Sequence, residues 1–149
     1  MAISYLATLK DIEESLVEVL KTALATHNVR VAAELNPGRA SAPQADRECL
    51  VGWTGDTIGS MQTLDKGRLE IRRSFRIHIR LKSLNNHTKG YEIVDDALKA
   101  VHFLQFENAE ASYPSSVNLV GYDAESGFYA FEIDVTFKTY SSLSSRRSV

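Results

Sequence analysis

The stretch RLEIRRSFRIHIRLK, residues 68–82, decides the fold. Leu69, Ile71, Phe75, Ile77, Ile79 and Leu81 alternate with Arg68, Glu70, Arg72, Ser74, Arg76, His78, Arg80 and Lys82, a period of two broken only at Arg73. Successive side chains of a strand point to opposite faces, so the pattern predicts one strand with an apolar and a polar face. At about 3.3 Å per residue it spans about 50 Å, far beyond a strand of five or six residues. Such a strand runs past its core at one end. Arg73, on the apolar side, marks the N-terminal end as the projecting one.

Downstream, Thr88 caps a helix reaching about Leu104. Tyr91, Val94, Ala97, Leu98, Val101 and Leu104 form its buried stripe, and Glu92, Asp95, Asp96 and Lys99 its wet side. Strands follow at 116–122 and 128–140, joined by a turn at 123–127. The polar tail 141–149 is expected to be flexible.

Upstream, Leu9, Ile12, Leu16, Val19, Leu20 and Ala23 keep helical spacing behind an approximate cap at Thr8, and the helix ends near 26–28. Val29 to Leu35 reads as a strand ended by Asn36-Pro37-Gly38, residues 39–47 as a polar loop, and 48–54 as a strand. Residues 55–67 read as a long loop or a protruding hairpin. The prediction is a single α+β domain over 1–140, in two layers. A mostly antiparallel sheet carries both helices on one face and a long projecting hairpin or loop.

Composition narrows the function. The chain has 149 residues, 44% hydrophobic and 24% charged, with 17 Lys plus Arg against 19 Asp plus Glu and a net charge of −2. That is one globular domain, without the cationic surplus a general nucleic-acid binder needs. The charged start of the first helix is unlike a signal peptide, and no apolar run is long enough to span a membrane. A lone Cys49 excludes a disulfide framework and a multi-cysteine zinc site, and reads as a small buried residue. His27, His78, His87 and His102 are scattered over different elements and read as structural or solvated. There is no phosphate loop, nucleophile–base pair or metal set. No catalytic residue, cofactor or metal is assigned.

Two features remain. Arg72, Arg76, Arg80 and Lys82 share one strand face, near Glu132 and Asp134 of another strand. They read as a wet face with cross-strand ion pairs, as a subunit or partner interface, or as a nucleic-acid contact. With the acidic groups largely on the helices, opposite charges on opposite sides would suit head-to-tail joining of copies. Ile58, Met61 and Leu64 are apolar and have no evident core to enter, so the 55–67 stretch reads as a surface loop or as an arm that orders against a neighbour. Candidate interface residues are therefore Ile58, Met61, Leu64, Arg72, Arg73, Arg76, Arg80, Lys82, Glu132 and Asp134.

Four features together resemble the tail terminator (tail completion) proteins of long-tailed phages, of the Mu-like contractile type. They are the acidic amphipathic helix at 12–24, the polar glycine-bearing stretch before FRIHIRL (75–81), the helix YEIVDDAL (91–98), and the closing pair VNLVGY (117–122) and GFYAFEIDVTF (127–137). The resemblance spans about residues 5–140 and leaves 36–47 unmatched. It implies a non-enzymatic virion protein of the tail neck, assembled in the host cytoplasm. The expected assembly is a hexameric ring of copies that caps the tail tube protein, stops its growth and offers a surface to the head-side connector. In a contractile tail it also meets the sheath protein, and DNA at most passes through the lumen. The alternatives are another head–tail joining or minor tail protein, or a small non-enzymatic ligand-binding module.

Overall fold

The computed structural model describes residues 8–35, 43–59, 68–82, 87–102, 104 and 113–142. Helix α1, Leu9–Ala23, starts where the Thr8 hydroxyl accepts from the Asp11 amide at 3.1 Å. Asp11 in its first turn and Lys21 in its last both suit the helix dipole. Its apolar stripe seats Ile12, Leu16 and Leu20 in the core. A 3₁₀ turn, Ala25–His27, closes on Asn28 at φ 56°, in the left-handed region that asparagine tolerates.

Strands β1 (Arg30–Ala33), β2 (Arg47–Ile58) and β3 (Arg68–Lys82) follow, then helix α2 (His87–Val101), β4 (Tyr113–Asp123) and β5 (Phe128–Ser142). The five strands form one sheet in the order β1-β2-β3-β5-β4. Only β1 and β2 run parallel, and every other neighbouring pair is antiparallel. The α+β class, the mostly antiparallel sheet and the two helices are as the periodicity predicts. Residues 55–58, read as part of a loop or hairpin, are the end of β2 and pair with β3 out to Ile58 opposite Ile71. β5 runs two residues into the expected tail. Met61, Leu64 and residues 143–149 lie outside the described residues.

All described positions of β3 pair with β5, Arg68 opposite Ser142 through Lys82 opposite Phe128. Odd-numbered residues of β3 from Ile71 on and of β5 up to Thr139 lie on the helix side, and Phe75, Ile77, Ile79, Ile133, Val135 and Phe137 are fully buried there. α1 packs on β1 and β2, and α2 on β4 and β5. His27 Nε2 lies 2.7 Å from Asp96 Oδ2 and ties the turn after α1 to α2.

The core thins at Trp53, Phe75 and Phe137. Opposite Phe137, Arg73 pairs with Asp56 at 3.5 Å on the helix side, and the ladder continues to Ile58 and Ile71. Arg73 thus stands at the end of the contiguous apolar cluster, beyond which Ile71 and Thr139 are still buried.

One expectation is corrected. Tyr91 is 56% exposed, whereas Ile93, outside the expected stripe, is fully buried. α2 presents Ile93, Val94, Ala97 and Val101 inward and turns Tyr91 towards the β4 edge.

Candidate functional site

The even-numbered residues of β3 from Glu70 on and of β5 up to Lys138 form the sheet face away from the helices, and their register dictates the pairs. Arg76 stands opposite Asp134, its Nε 2.9 Å from Asp134 Oδ1 and 3.0 Å from Glu132 Oε2. These carboxylates raise the guanidinium pKa, Asp134 most. Arg72 Nε is 3.0 Å from Glu70, which also faces Lys138 at 3.7 Å. At the other end Glu48, fully buried, takes Arg80 Nη2 at 3.1 Å, Arg30 Nη1 at 2.7 Å and the Gln44 amide at 2.9 Å. Lys82 is exposed, with its ammonium 6.0 Å from the Phe128 ring centroid.

The face is thus an interleaved network of cations and carboxylates, so the expected separation of charge between sheet and helices is only partial. The cross-strand reading describes Arg76, Glu132 and Asp134. Arg73 belongs to the other face. Arg80 is buried, and its partner Glu48 was missed because no alternation rule reveals an acid hidden between two arginines on neighbouring strands.

Among the described residues, Tyr91 on α2 and Tyr113, Val117, Leu119, Val120 and Tyr122 on β4 are all exposed. Val117 and Leu119 stand with Tyr91 on the helix side, Tyr113 lies opposite Thr136 on the other face, and Val120 and Tyr122 border the hollow over His78 and Arg80. Between α2 and β4 runs a groove of about 360 Å³ lined by Tyr91, Val94, Asp95, Val117, Leu119 and Phe131. β4 is an edge strand, with bulges between Pro114 and Ser116 and between Leu119 and Gly121. The second bulge sets Val120 beside Leu119 out of alternation, a signal visible in the sequence as two adjacent apolar residues before Gly121.

The opposite edge is stepped. β1 covers β2 only from Glu48 to Val51. Past that point the outer side of β2 meets no strand among the described residues, out to Ile58 at 66% exposure. Leu35, just after β1, is also exposed. Large apolar surface on an open sheet edge is an aggregation hazard unless something covers it.

A solved virion shares this architecture. A chain of the virion of a native gene transfer agent (GTA) particle matches over 88% of this chain and 94% of its own length, with TM-score 0.55 and 10% sequence identity. At that identity the likeness to the gene transfer agent chain is one of fold. No family model and no curated protein matches the sequence.

Conventional site chemistry has little to build on. Among the described residues no three His, Cys, Asp or Glu side chains gather as a metal site, and no helix is long and apolar enough to cross a membrane. A hollow of about 450 Å³ lies over His78 and Arg80, walled by Tyr122 and Phe128. Its Arg80 floor is engaged by Glu48, and its His78 imidazole is held below its ordinary pKa, chiefly by burial. Cys49 is enclosed in the core, where burial pushes its thiol up to about 12, so it is a poor nucleophile.

Proposed function

We propose that this chain is a virion structural subunit of the tail terminator kind. Copies close into a ring, hexameric in the reading the sequence resemblance implies. The ring caps the tail tube, stops its growth and presents its other face to the head-side connector. In a contractile tail its rim meets the last sheath ring, and DNA passes through the lumen. The protein acts by geometry, without a catalytic step.

One observation carries this reading: among the described residues, the sheet ends in two edges of unlike shape, β4 on one side and the short β1 beside a longer β2 on the other. The β4 edge, with exposed Tyr91, Val117 and Leu119 on its helix side, cannot meet the stepped β1–β2 edge of the same molecule, but it can meet that edge on another copy. Contacts between unlike surfaces propagate in one direction and end either in a closed ring or in a filament. The long β3–β5 ladder adds surface for the tube, and Arg72, Arg76 and Lys82 with Glu132 and Asp134 supply a polar face for further partners. The shared fold with a gene transfer agent virion chain agrees with such a role.

The test is assembly. Purified protein, alone or with isolated tail tubes, is expected to give rings by electron microscopy and a multiple of the 16.6 kDa chain mass by light scattering. Tubes pre-incubated with it should stop elongating. A strictly monomeric chain that leaves tube growth unchanged refutes the proposal.

A further inference from the structure

We infer that Glu132 is a movable carboxylate shared between Arg76 and His78: when the His78 imidazole takes up a proton, Glu132 closes on its Nδ1 and loosens its hold on Arg76. The polar sheet face thus contains a proton-operated switch, independent of whether the chain stands alone or in a ring.

The two contacts of Glu132 are unequal. It stands opposite His78 in the β3–β5 register, with its Oε2 3.0 Å from Arg76 Nε and 3.9 Å from His78 Nδ1. The single N–H on Arg76 Nε donates to Asp134 Oδ1 at 2.9 Å, so Glu132 holds that nitrogen by charge alone. Asp134 is also fixed from β4, where the Ser116 hydroxyl donates to Oδ2 at 3.0 Å. Of the two acids beside Arg76, Glu132 is therefore the one less tied in place.

His78 supplies the other half. Its side chain is 8% exposed, and its Nδ1 is buried with no hydrogen-bond partner among the described residues. A ring N–H facing a carboxylate closes to about 2.8 Å, whereas a lone pair facing one stands off. The 3.9 Å gap thus fits the neutral ring with its proton on Nε2. Protonation puts a hydrogen on Nδ1 and turns repulsion into attraction. Glu132 then needs to move only about 1 Å to accept it.

The other charges near the ring leave this role to Glu132. Leu50, opposite His78 on β2, is uncharged, and Glu48 is engaged by Arg80 and Arg30. Asp123, across the hollow, accepts from the Ser126 hydroxyl and the Glu125 amide. Among the described residues, Glu132 alone pairs with the ring. Burial disfavours the charged imidazole most, Arg80 and Arg76 on β3 act the same way, and Glu132 and Glu34, just after β1, oppose them. The switch therefore works below the ordinary 6.5 of histidine. There Arg76 keeps Asp134 alone, and the face gains one positive charge, which favours a partner carboxylate at Arg76.

The test is an NMR titration of the full chain from about pH 8 to about pH 5, following the His78 ring and the Arg76 Nε–H. Both signals are expected to move with one midpoint. His78→Gln should leave the Arg76 signal flat over that range. Glu132→Gln removes the charged acceptor and keeps the size. It should lower the His78 midpoint by about half a pH unit or more and also leave Arg76 flat. A histidine that only packs would titrate without moving Arg76. An Arg76 signal unmoved while wild-type His78 titrates, or one that still titrates in His78→Gln, overturns the inference. So does an unchanged His78 midpoint in Glu132→Gln, or a His78 ring that stays neutral until the chain unfolds. The wild-type titration decides even where a variant fails to fold.

Discussion

Glu48 and Arg80 stand directly opposite each other on β2 and β3, with Glu48 Oε1 3.1 Å from Arg80 Nη2 and both side chains buried. Removing one partner of a buried pair strands the other charge, which costs about 3–5 kcal/mol. Glu48→Ala is therefore expected to lower the unfolding free energy by about that amount in urea titrations. Glu48→Gln keeps an acceptor for the Gln44 amide and should lose less. If Glu48→Ala unfolds at the wild-type midpoint, the pair contributes nothing.

Residues 68–82 made the class of fold legible, because a period of two over that length has one structural solution, and two one-sided helices must cover its apolar face. Tyr91 was misplaced because helical spacing admits a stripe rotated by one position, and only packing against β4 and β5 selects Ile93. The groove was not legible. Val117 and Leu119 alternate like core residues, and nothing local says that β4 lies at the sheet edge. Arg72 and Arg80 look equivalent in sequence, yet Arg80 lies under the 43–46 turn beside a buried acid while Arg72 is half in solvent. That difference comes from strand order.

Burial holds the His78 imidazole below its ordinary 6.5, with Arg80 and Arg76 acting in the same direction and Glu132 and Glu34 opposing. The native state thus favours the neutral ring, whereas the unfolded chain takes up the proton near 6.5. Between the folded value and 6.5 the unfolded chain binds more protons, so stability is complete above that window and falls as pH drops through it. Urea titrations should show the protein less stable at about pH 5.5 than at about pH 8, with His78→Gln flattening that slope. An unchanged slope in the variant would assign the dependence to other groups.

The Cys49 thiol, pushed up to about 12 and fully buried between β1 and β3, should be inert in the native protein. A thiol reagent at about pH 8 is expected to label it only after denaturant is added, since the thiolate is the reactive form. Rapid labelling under native conditions would show that β1 and β2 open readily, and would place the stepped edge among the least stable parts of the sheet.

Arg72 separates folding from assembly on the polar face. Its side chain is 52% exposed, and its partner Glu70, though buried, keeps Lys138 at 3.7 Å, so losing the Arg72 pair should cost about 1 kcal/mol. Charge reversal suits none of the row, because a new carboxylate at Arg72 would face Glu70, at Arg76 Asp134 and Glu132, and at Arg80 Glu48. The neutral Arg72→Gln is accordingly expected to keep the wild-type circular dichroism and nearly the wild-type urea midpoint. If this face meets the tube, the connector or a neighbouring copy, the same variant should bind tubes or form rings at least several-fold less well, with the difference shrinking as salt is added. Wild-type assembly by Arg72→Gln would confine the arginine row to holding β3 against β5 and leave the sheet edges to carry the contacts between subunits.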